Sequence, residues 1–162
     1  MSIGHRLLSL WQRLAHLPGG KRLFSFLLGR QVPYTGTVRP IIVELRSGYC
    51  RAEMSDRRIV RNHLNSIHAV ALVNLAEVVG GLAMLTGLPA NLRSIVTGLS
   101  IDYKKKARGR LTAEATVQLP PIDGDIDLPV QSIVSDASGD VVAAMTVRWR
   151  VGPVRERVPV PA

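Results

Sequence analysis

This 162-residue sequence predicts an α+β fold in which a strongly curved antiparallel sheet wraps one long helix. Three observations predict it. The segment from about His68 to Leu85 is apolar nearly all round, and a helix without a polar face has to be buried on most sides. Downstream, apolar and polar residues alternate with the two-residue period of half-buried strands. Upstream lie two shorter strand patterns joined by a turn. The length suits one domain, and 46% hydrophobic with 20% charged residues is a globular composition.

A basic amphipathic helix pair opens the chain. Leu7, Leu8, Trp11, Leu14 and Leu17 recur at helical spacing, and Leu23, Phe26 and Leu27 form a second stripe after Pro18-Gly19-Gly20. From Met1 to Val43 there is no Asp or Glu, against six basic residues: Arg6, Arg13, Lys21, Arg22, Arg30 and Arg39. Three readings stand open. The segment is an Arg-rich transit peptide, an arm over residues 1–30 that contacts a membrane surface or a partner, or an extension whose apolar stripe packs on the main domain. A secretory signal fits worst, because Arg13 and Lys21-Arg22 interrupt the apolar stretch.

From Val38 the pattern becomes that of a strand, with Ile41, Val43 and Leu45 alternating with Ile42, Glu44 and Arg46. Ser47-Gly48 supplies a turn, and Tyr49 to Met54 a second strand. The long helix follows, and Gly87 and Pro89 are its stop signals. Ser94 to Lys106 then reads as a strand running into a hairpin turn at Ala107-Arg108-Gly109, with Leu111 to Leu119 returning. After Pro120-Pro121 come strands over Ile126 to Val134 and Val141 to Val151, joined by a turn at Asp136 to Asp140. The order is thus two strands, one helix, four antiparallel strands, with edge strands that invite pairing with a second copy. We divide the chain into a helical extension over residues 1–32, the sheet-and-helix domain over 33–152, and a tail over 153–162 that is expected to fray.

A formal charge of +9 favours anionic partners. One cysteine, Cys50, rules out an intramolecular disulfide and any zinc site of several cysteines, and a reducing cytoplasm fits best. The four histidines lack metal-ligand spacing, so no metal is expected. Glu77 interrupts the longest apolar run, so no membrane span is expected either. Aromatic residues make up only 4%, which leaves no stacking platform for nucleic acid.

Glu77 is the one formally charged side chain between Arg61 and Arg93. A buried carboxylate needs partners or a raised pKa. It is therefore either a general base or nucleophile, or a structural acid held by an arginine or by backbone N–H groups. Asn62, His63, Asn65, Ser66 and His68 cluster before the helix, as caps or as a corner where the first free N–H groups bind an oxyanion. Asn74, Glu77 and Gly81 share a helix face, and Gly80-Gly81 allows close approach there. His68 and Glu77, nine residues apart, point to opposite sides of the helix, so only two antiparallel copies bring them together. Lys104, Lys105, Lys106, Arg108 and Arg110 form either a solvated hairpin tip or a phosphate contact, their even-numbered members sharing a strand face.

The stretch Asn62 to Glu77, with His68 nine residues before the acid of a Leu-Ala-Glu segment, resembles the hotdog-fold acyl-CoA thioesterases of the phenylacetate-pathway and 4-hydroxybenzoyl-CoA type. Pro33-Tyr34, the block Asn62 to Ala69 and Lys105 to Gly109 are similar to a bacterial group of uncharacterised hotdog proteins, in which the N-terminal segment belongs to the mature protein. The resemblance implies a hotdog fold and hydrolysis of an acyl thioester at a subunit interface. It places Glu77 on the catalytic acid, Asn62 on the asparagine that positions carbonyl or water, and the Ala69 N–H, beside His68, on the oxyanion donor. Thr97 falls near a Ser or Thr of some relatives, while Asn74, Gly81, Lys104, Lys106 and Arg108 are assigned to substrate. His68-Ala69-Val70 departs from the usual His-Gly-Gly, and two added side chains narrow the approach.

The expected partner is an acyl thioester of coenzyme A or of an acyl carrier protein, with no separate cofactor. The expected assembly is a homodimer, or a tetramer of two such dimers. The rival expectation is a non-catalytic acyl- or lipid-binding protein seated on a membrane.

Overall fold

The computed structural model of the protein describes residues 2–154. Six strands form one antiparallel sheet: β1 (Ile41–Arg46), β2 (Tyr49–Met54), β3 (Leu92–Tyr103), β4 (Leu111–Thr116), β5 (Ile126–Asp136) and β6 (Val141–Pro153). Their order across the sheet is β1-β2-β4-β5-β6-β3. The sheet curves around the long helix, α4 (Ala69–Gly87), which touches all six strands.

Alternation decides which side chains face α4. In β4, Leu111, Ala113 and Ala115 are buried beneath the helix while Thr112, Glu114 and Thr116 turn away. Ala52 lies opposite Ala113, and Cys50 opposite Ala115, so small residues line the trough that receives the helix. Leu75, Ala76, Val79, Ala83 and Met84 of α4 are completely buried there. Gly80 presses on β5 so closely that a Cβ would lie 2.9 Å from the Ser132 hydroxyl. Helix α4 is long and apolar enough to span a bilayer by length and composition, but 67% of it is buried in the fold, as a core helix requires.

The N-terminal segment folds as α1 (Ile3–Leu14) and α2 (Gly20–Gln31), followed by a short α3 (Pro33–Val38). Helix α3 replaces the start of the strand expected at Val38. Pro33 sits in its first turn, where the missing N–H costs nothing. Helix α1 crosses α4 at backbone contact, since a Cβ on Gly4 would run into the Leu85 carbonyl. Trp11 and Phe24 meet edge to face at 5.1 Å and join the same buried cluster as α4. Helix α2 lies along β1, where Ile42 N–H donates to Ser25 Oγ at 2.8 Å and Lys21 Nζ donates to the Val43 carbonyl at 2.8 Å. Extension and sheet therefore share one core.

One connection differs from the sequence-based expectation. Strand β3 does not form a hairpin with β4; it pairs with β6 at the far edge, and β4 lies between β2 and β5. Strand β3 ends at Tyr103, so residues 104–110 cross the end of the sheet as a loop, and the expected alternation of their even-numbered cations does not arise. The tail expected to fray, ending at Pro159 to Ala162, lies outside the described residues.

Candidate active site

Glu77 sits two turns into α4, on the stripe Val70, Val73, Glu77, Gly81 and Leu85 that the sheet leaves least covered. It is half-buried. Among the described residues none donates a hydrogen bond to its carboxylate or forms an ion pair with it. Burial alone acts on it, and raises its pKa above the ordinary carboxylate value. The structural alternative required a buried arginine or backbone donors, and neither is present at this carboxylate among the described residues. Gly81 stands beside it, where a Cβ would lie 3.5 Å from Glu77 Oε1.

The carboxylate opens into a cavity of about 610 Å³ between the N-terminal helices and α4. Leu7, Leu10, Phe24, Leu28, Val78 and Leu82 supply most of its apolar wall. Among the described residues, Arg6 is the one cation on that wall and Glu77 the one acid. Asn74 does not line it. One helical turn earlier, Asn74 rotates inward and is 5% exposed, with a buried Oδ1 that has no hydrogen-bond partner among the described residues. The expected shared face of Asn74, Glu77 and Gly81 thus reduces to Glu77 and Gly81.

The loop before α4 forms a second corner. Asn62 Oδ1 accepts from the N–H of Leu64 at 2.9 Å and of Ser66 at 3.2 Å, so the side-chain oxygen shapes the loop and the amide NH₂ faces elsewhere. His68 caps the helix: its Nδ1 accepts from Val70 N–H at 3.1 Å. The Ala69 N–H has no acceptor among the described residues and stands open at the exposed helix start. With a rise of about 1.5 Å per residue, this corner lies roughly 12 Å along the axis from Glu77. One protomer does not bring the two together.

The basic run gains a different neighbour from the one its sequence suggests. Ile67 N–H and Ser66 Oγ both donate to the Ala107 carbonyl at 2.9 Å, and Gly109 N–H donates to Asp56 Oδ2 at 2.9 Å. These bonds strap residues 104–110 against the start of α4. Lys104 lies 3.8 Å from Asp102, and Lys105 is held at 2.6 Å by both Asp136 and Asp140. Lys106 has no ion-pair partner among the described residues, and Arg108 acts on Asp56 only at longer range. Tyr103, not anticipated from sequence, donates its hydroxyl to the Ala69 carbonyl at 3.2 Å. Thr97 is exposed on β3 and donates to the Arg148 carbonyl at 3.2 Å, outside the Glu77 cavity.

A six-stranded antiparallel sheet wrapped on one buried helix is the architecture of a hotdog-fold domain. The chain belongs to the family of the domain of unknown function DUF4442, whose profile matches residues 20–151. Among solved structures it is similar to a structural-genomics protein at 28% identity and a TM-score of 0.80, covering 94% of this chain and 100% of the other. A Pseudomonas aeruginosa protein called a "protein of unknown function" and "probable thioesterase" matches at 24% identity and TM-score 0.73, covering 85% and 97%. A thioesterase from Haemophilus influenzae matches at 16% and 0.67, covering 80% and 91%. The last two likenesses establish the fold. No curated protein matches the sequence.

Proposed function

We propose that the protein is an acyl thioesterase whose base or nucleophile is Glu77. The observation that carries this reading is an unpaired, partly desolvated carboxylate opening into an apolar cavity. As base, Glu77 takes a proton from water as the water oxygen bonds to the thioester carbonyl carbon. The C–S bond then breaks, and the departing sulfur takes the proton, leaving a carboxylic acid and a free thiol. The Ala69 N–H and the Asn62 NH₂ are the donors assigned to the carbonyl oxygen.

Glu77 and Ala69 stand too far apart on one helix, so this reading requires a homodimer. The two sheet edges differ in the way it needs. Strand β1 is covered by α2, whereas among the described residues β3 is open and carries exposed Ile95, Leu99 and Tyr103. Lys106 and Arg108, strapped beside the Ala69 corner, suit the phosphates of coenzyme A. The test is thiol release from a panel of acyl-CoA esters by the purified dimer. Release supports the reading, and its absence from every ester overturns it.

One observation favours a second reading, an acyl-binding protein on an anionic membrane. Leu23, Phe26 and Leu27 are exposed beside Arg22 and Arg30, in a segment without acids. Binding to anionic vesicles that is lost in Phe26→Ser, with no ester hydrolysed, would favour it.

A further inference from the structure

We infer that the cavity between α1, α2, α3 and α4 is an acyl-chain chamber built for an extended aliphatic chain, with α1 as its far wall. The inference rests on the proposed role of Glu77 and names the substrate class that role serves. Three observations carry it.

The first is size. An apolar cavity of about 150 Å³ is filled by one benzene ring, so one of about 610 Å³ is left mostly empty by a single aromatic acyl group. A chain of many methylenes fills such a space, each one adding about 0.8 kcal/mol of transfer free energy.

The second is chemistry. Ile3, Leu7, Leu10, Leu28, Leu82 and Leu85 are branched aliphatics. The aromatic ring on the wall, Phe24, is already engaged edge to face with Trp11. The charged groups are Glu77, where the thioester is placed, and Arg6 on α1.

The third is position. Ile3, Leu10, Leu27 and Val32 line the cavity and are also exposed, so the chamber has a mouth on the outer face of the helices. A chain entering past Glu77 can extend toward that mouth. Helix α1 supplies Ile3, Arg6, Leu7 and Leu10 to the far wall, and chain-length preference is assigned to it.

The test uses the full chain and two variants that plug the chamber from its exposed rim, Leu10→Trp and Leu27→Trp. Binding of dodecanoic acid is measured by titration calorimetry, and the ratio of kcat/KM for dodecanoyl-CoA over acetyl-CoA is measured alongside. The wild type is expected to bind dodecanoate and to favour the longer ester. Each variant is expected to weaken binding and lower the ratio by about tenfold, the loss of roughly two buried methylenes. Failure of the wild type to bind dodecanoate, or an unchanged affinity and ratio in both variants, overturns the inference. The two readings fail separately. Dodecanoate binding that the tryptophans weaken, without turnover of any ester, keeps the chamber and removes the hydrolase. Turnover indifferent to chain length does the reverse.

Discussion

At the scale of the residue, Glu77 was legible as a lone charge in an apolar helix; that no described residue pairs with it was not, because that depends on α1 and α2, remote in sequence. Asn74 shows the same limit. A helical wheel places it near Glu77, yet the side on which the sheet closes buries it. Burial also gives Glu77 a stability signature. Its folded pKa lies above its unfolded value, so below the unfolded value both states are protonated and nothing is lost. As pH rises through the folded value, the native state must carry a poorly solvated charge, and stability falls. Glu77→Gln should therefore unfold at a higher temperature than the wild type at pH 8, with the gap closing by pH 4. Thermal melts across that range check this, and a variant less stable at pH 8 would mean that the carboxylate is structural.

At the scale of the element, periodicity located α4 and most strands to within a few residues. Pairing was less legible. Sequence neighbours usually pair, and the turn signal at Ala107-Arg108-Gly109 therefore suggested a hairpin. That turn instead crosses the sheet, because β3 reaches its hydrogen bonds at the far edge through β6. The crossing is what brings the basic run to the start of α4. Lys106→Ala with Arg108→Ala should then raise KM for acyl-CoA several-fold at low salt with little change in kcat, since exposed charge contacts are screened. The same pair should leave an acyl-pantetheine thioester, which lacks the nucleotide phosphates, nearly unaffected. Equal effects on both esters would remove the run from the coenzyme's path.

At the scale of the whole molecule, the homodimer we propose rests on how the two sheet edges are finished. Ser25 accepts from the Ile42 N–H and Lys21 donates to the Val43 carbonyl of β1, and among the described residues nothing comparable covers the outer edge of β3. Edge strands were predictable from the count of strands; which edge stays open depends on where α2 packs. Ile95→Lys with Leu99→Lys, placing charges on that edge, should yield a monomer by analytical ultracentrifugation and abolish turnover, because the proposed dimer that sets Glu77 against a second copy's Ala69 corner would not form. A folded monomer that retains full activity would place the whole site within one chain.

The most direct test of the central claim is thiol release by Glu77→Gln, at saturating dodecanoyl-CoA and with the dimer verified. Removal of a general base is expected to lower kcat by about 10²- to 10⁴-fold without dissociating the protein. A variant that turns over within about twofold of the wild type would contradict the assignment of Glu77 as the catalytic carboxylate.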